Sequence, residues 1–145
     1  MEKFREILKE LIDEKGAKIT TICKENGIPS ALIYDYLNGF LYPSVQTLIK
    51  LAIYFDCSLD YMLNLTDIKN DKKYVNIHGD VSLFLPRYFQ LLKDNHTTHY
   101  LFAQEHRFGE SVIRNWKKGS VPSLEKLKLI AYELGSSVDY LVGRT

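Results

Sequence analysis

A chain that repeats itself can fold only into something two copies of one small unit can build, and this one repeats at a shift of 80 residues. Under that shift Phe4 falls on Phe84, Leu11 on Leu91, Ile12 on Leu92, Cys23 on Ala103, Glu25 on Glu105, Ile33 on Ile113 and Gly39 on Gly119. Past the glycine the later copy is one residue shorter, and the shift becomes 79. Pro43 and Ser44 then meet Pro122 and Ser123, Leu48 meets Leu127, Ala52 meets Ala131, and Ser58-Leu59-Asp60-Tyr61 meets Ser137-Val138-Asp139-Tyr140. Matches on both sides of one deleted loop residue are the mark of a duplicated domain. The 145 residues are enough for two such small domains.

Each copy reads as five short helices. In the first, Phe4, Leu8, Leu11 and Ile12 recur at helical spacing over residues 2–15, and Gly16 stops the run. Residues 19–26 form a second helix ended by Asn26-Gly27, and Ser30 is placed to cap a third that closes at Gly39. Ser44 caps a fourth, with Leu48, Leu51, Ala52 and Phe55 inward, and Ser58 caps a short fifth reaching about Leu63. Thr98, Ser123 and Ser137 are the corresponding caps of the second copy. No segment alternates long enough to predict a strand, so the expected fold is all-α. It divides into a first domain over 1–66, a polar linker over 67–80 rich in Asn, Asp, Lys and Gly, and a second domain over 81–145. Within the linker, Tyr74-Val75-Asn76-Ile77 reads as a brief extended piece.

The stretch Ile113-Arg114-Asn115-Trp116-Lys117-Lys118-Gly119, followed by Pro122-Ser123, resembles the recognition-helix-to-helix-4 segment of the Cro/C1-type (XRE) helix-turn-helix family. Ile33-Tyr34-Asp35-Tyr36-Leu37-Asn38-Gly39 with Pro43-Ser44 resembles it again. The tails Leu59-Asp60-Tyr61-Met62 and Val138-Asp139-Tyr140-Leu141 are similar to the family's closing helix. The resemblance implies two tandem lambda-repressor-like domains, double-stranded DNA as partner, a regulatory role in a bacterium or phage, and no cofactor. In such a motif a tight turn lets the second helix protrude into a major groove, apolar on its inner side and carrying hydrogen-bonding groups on its outer side.

In the second copy Ile113 and Trp116 supply the inner side, and Glu110, Ser111, Arg114 and Asn115 the outer. Arg can fork onto guanine and Asn can pair with the edge of adenine. Lys117 and Lys118 are placed for phosphates, as is the start of helix 2 at Thr98 and His99. The first copy is poorer in such groups: its outer positions are Ser30, Ala31, Tyr34 and Asp35, with no Lys or Arg until Lys50. Charge divides in the same sense. Residues 1–67 hold 7 Lys+Arg against 10 Asp+Glu, and residues 84–145 hold 9 against 6.

The chain departs from the family pattern in three places. Ile19 and His99 stand where a DNA-contacting Gln is common at the start of helix 2. Leu37 and Lys117 replace a Glu, and Ile12 and Leu92 replace the Arg it often pairs with. Ile12 facing Leu37 is an apolar substitute for a buried ion pair, an exchange that is often neutral or stabilising.

Other motifs carry less. Cys23 matches Ala103 and reads as a small core residue, and Cys57 lies in a turn; with no CxxC pair, both fit a reducing compartment. His96, His99 and His106 lack a fourth ligand arranged with them, so no metal is expected, and no small-molecule ligand is evident. No Gly-rich phosphate loop, HExxH or nucleophile elbow points to an enzyme. The apolar runs are too short to span a bilayer, and the charged start Met1-Glu2-Lys3-Phe4-Arg5-Glu6 is unlike a signal peptide, so a cytoplasmic location is expected.

Two apolar groups stand outside this pattern. Phe40, Leu41 and Tyr42 form an apolar loop after the first recognition helix. Leu85 and Phe89, four apart, lie off the core face of the helix that opens the second copy. Both predict surfaces that something covers, by homodimerisation or by docking between the domains; alternatively residues 81–86 are not helical and tuck under their own domain. Two functions therefore stand: a DNA-reading regulator led by the second copy, and a protein-interaction module of antitoxin or anti-repressor kind.

Overall fold

A computed structural model describes residues 2–145 and contains no strand among them. The chain forms two compact units, the first through Lys72 and the second from Lys73 to Thr145.

The first unit contains α1 (Glu2–Lys15), α2 (Ile19–Asn26), α3 (Ser30–Leu37), α4 (Val45–Phe55) and α5 (Leu59–Met62). Local chemistry sets most of the boundaries. Ser44 Oγ accepts the Thr47 N–H at 3.2 Å and Ser58 Oγ accepts the Tyr61 N–H at 2.9 Å, each satisfying a donor that the first helical turn leaves open. Ser30 does not cap: Pro29 takes the cap position and Ser30 becomes the first helical residue. Phe4, Leu8 and Leu11 of α1, Ile22 of α2, Ile33 and Tyr36 of α3, and Leu48, Leu51, Ala52 and Phe55 of α4 are buried together with Cys57. Cys23 is half-buried, and burial raises its thiol pKa.

The second unit opens with a single 3-10 turn, Val81–Leu83, and continues with α6 (Phe84–Asp94), α7 (His99–His106), α8 (Ser111–Lys117), α9 (Leu124–Glu133) and α10 (Val138–Leu141). Residues 81–86 are thus helical, with Pro86 in the first turn of α6, where its missing N–H is no loss. Thr98, Ser123 and Ser137 each accept a backbone N–H three residues on. The core is aromatic: Trp116 meets Phe84 edge-on with ring centroids 5.1 Å apart, and Tyr88 edge-on at 5.4 Å.

Residues 67–80 do not form a free tether. Lys69 gives its carbonyl to the Ser58 N–H and its ammonium to Glu14, while Asn70 Nδ2 bonds Asp56, all inside the first unit. From Tyr74 on, the backbone is tied into the second unit: Val75 N–H bonds the Arg144 carbonyl and Asp80 N–H the Val142 carbonyl. The piece around Tyr74–Ile77 makes no ladder and leads into a turn at residues 77–78. What holds it is Arg144, whose Nε donates to the Ile77 carbonyl at 2.8 Å, whose Nη1 meets Asp139 at 2.7 Å, and whose guanidinium lies over the Tyr74 ring.

Candidate nucleic-acid interface

In the first unit, α2 ends at Gly27, whose φ of 64° makes the tight turn, and buried Ile28 anchors the start of α3. Ile33 and Tyr36 hold α3 down, leaving Ser30, Ala31 and Tyr34 exposed and Asp35 half-buried. That outer face has two hydroxyls, a methyl and a carboxylate, but no cation. Ile12, Ile19 and Leu37 line one cleft of about 330 Å³ with Lys9 and Asp13.

The second unit builds the same turn differently. Arg107 occupies the left-handed position, φ 59°, that Gly27 fills in the first unit. Trp116 is buried and Ile113 half-buried, so the opposite face of α8 is outward. Ser111, Arg114, Asn115 and Lys118 are spaced at three and four, share that face and are all exposed; Glu110, at the N-cap, and Lys117 are exposed beside them. The arrangement offers a guanidinium and a carboxamide for base edges and two ammonium groups for phosphates.

The start of α7 is more committed than its sequence suggests. Thr98 Oγ1 accepts the Leu101 N–H at 3.3 Å as the helix cap. His99 is half-buried, with Nδ1 2.8 Å from the Tyr88 hydroxyl and its ring edge-on to Trp116. Burial first, and Lys117 second, hold its pKa below the usual histidine value, so it is neutral at pH 7. His96, His99 and His106 do not converge: no metal-binding group of His, Cys, Asp or Glu occurs among the described residues.

The two apolar surfaces are smaller than the sequence implies. Tyr42 is half-buried against Phe4, ring centroids 5.6 Å apart, leaving Phe40 at 74% and Leu41 at 43% exposure. Leu85 is half-buried and lines a cleft with Val81, Phe84 and Trp116, so only Phe89, 40% exposed, remains outward from that pair. Sequence reasoning missed Tyr100 and Leu101, which stand outward on α7 at 72% and 53% exposure. Their spacing gives no signal, because α7 has apolar residues on all sides.

Residues 7–67 match the family model of the Cro/C1-type helix-turn-helix DNA-binding domain. The match spans most of the first unit, including α2 and α3, and bears out the resemblance there; it ends at Asp67. No curated protein and no solved structure matches the chain. No helix among the described residues is long and apolar enough to cross a membrane.

Proposed function

We propose that this chain is a sequence-specific DNA-binding regulator of transcription, repressor-like and not an enzyme. In this reading residues 81–145 are a second Cro/C1-type domain and the main reader of DNA. The observation that carries it is the outer face of α8, where Arg114, Asn115, Lys117 and Lys118 are exposed together, set against the cation-free outer face of α3. The two copies can then act as a covalent pseudo-dimer on half-sites about 34–36 Å apart.

Selection from a random duplex library tests the reading, with the recovered site used for variants. Arg114→Ala is expected to lose about 1–3 kcal/mol on that site and to relax preference at one base pair. Equal loss on all sequences would reduce Arg114 to a phosphate contact. Lys117→Ala and Lys118→Ala are each expected to weaken binding evenly across sequences and to lower the salt slope by about 1. Slopes unchanged in both would remove them from the interface.

A second reading rests on Phe40 and Leu41, exposed in an acidic unit: the first unit serves protein assembly. Sedimentation of Phe40→Lys with Leu41→Glu decides it, since an unchanged mass and partner profile leaves the loop without that role.

A further inference from the structure

The Tyr88–His99 pair joins the core of the second unit to its candidate DNA face. Tyr88 is fully buried, and His99 Nδ1 is the one hydrogen-bond partner its hydroxyl has among the described residues. A buried O–H left without an acceptor costs more than a lone pair left without a donor, so the hydroxyl donates and Nδ1 accepts. The neutral ring then carries its proton on Nε2. That nitrogen lies on the far side of the ring from Tyr88 and has no protein partner among the described residues. His99 is the first residue of α7, and the charged and titratable groups facing it are Tyr88 from α6 and Lys117 from α8.

We propose that this pair is a protonation-linked contact: the His99 Nε2–H faces the DNA backbone, and an approaching phosphate draws a second proton onto the ring, so that binding tightens as pH falls. The inference rests on the DNA-binding reading of the second unit. The added proton comes from solvent and goes to Nδ1, which ends the hydrogen bond that the Tyr88 hydroxyl donates there, a further cost of the step. Without DNA, burial and Lys117 oppose that step. A phosphate beside the ring supplies the opposite charge and offsets Lys117. The sign follows from linkage: the complex holds more protons than the free protein, so affinity rises as pH drops, by at most about tenfold per pH unit for one proton.

The experiment uses the full chain and the duplex recovered by selection, with affinity measured from pH 7.5 to 5.5 at constant salt. Wild type is expected to tighten several-fold. His99→Gln, whose carbonyl can still accept from Tyr88, is expected to lose that component. Tyr88→Phe removes a hydrogen bond made to the neutral ring and is expected to move the rise to higher pH. Imidazole nitrogen resonances of the chain without DNA are expected to report the Nε2–H form. A flat wild-type profile, a rise that persists unchanged in His99→Gln, or an Nδ1–H resonance pattern overturns the proposal while leaving DNA binding standing. No duplex binding at any pH overturns the DNA reading, and this inference with it.

Discussion

Replacing Arg144 with Met should destabilise the second unit by about 3–5 kcal/mol, the range for breaking a buried ion pair on one side only. Arg144 is 1% exposed and Asp139 3%, and their Nη1–Oδ1 distance is 2.7 Å. Removing the guanidinium leaves the carboxylate buried without its cation. It also frees the Ile77 carbonyl and removes the cation over Tyr74, so residues 74–80 lose their main side-chain tie. Trp116 is the single tryptophan and sits in the core of this unit, so its fluorescence during denaturant unfolding reads the effect directly. The double change Arg144→Met with Asp139→Leu should recover much of the loss, because no charge is then stranded. A single variant within about 1 kcal/mol of wild type would mean that water reaches Asp139 and that the pair is not what closes the unit.

Gly143→Ala should be nearly as damaging. Gly143 has φ +81°, and a Cβ there would stand 2.6 Å from the Asp80 carbonyl oxygen and 2.7 Å from its nitrogen. Left-handed backbone with a Cβ costs about 1–2 kcal/mol, and overpacking typically adds about 1–3. The obstacle is backbone held by the Asp80 N–H to Val142 carbonyl bond, so it cannot swing aside as a flexible side chain could. Gly135→Ala is the internal control: its φ is +67° but nothing lies within 4 Å, so only the conformational part should appear. Thermal unfolding of the two variants followed by Trp116 fluorescence separates the terms. Equal losses would show that Asp80 yields.

These two substitutions fall where the sequence is least informative. A lone arginine reads as surface, because Arg is almost never fully buried unless paired, and its partner here comes from α10 while its carbonyl acceptor lies 67 residues away. Residues 67–80 read as a linker for the same reason. Asn, Asp, Lys and Gly are turn formers locally, and the bonds that fix them run to Ser58, Val142 and Arg144.

What the sequence by itself determined is the set of quantities that depend on neighbours three or four residues apart. The apolar spacing of Phe4, Leu8 and Leu11, and the caps at Ser44, Ser58, Thr98, Ser123 and Ser137, placed the helices. Its one misplaced cap, Ser30, failed because Pro29 already held the non-helical position. The outward face of α8 was legible as well, since Ile113 and Trp116 leave Arg114 and Asn115 no inner position. Tertiary structure alone decided which polar groups stay available to a ligand. His99 looked like a free donor until Tyr88 took its Nδ1, Tyr42 looked exposed until Phe4 covered it, and Leu85 looked outward but is half-buried in a cleft it lines with Phe84 and Trp116. Helical periodicity reports which side of one helix is apolar, but a hydrogen-bond partner or a covering ring comes from another element, and only the packing of elements decides which one arrives.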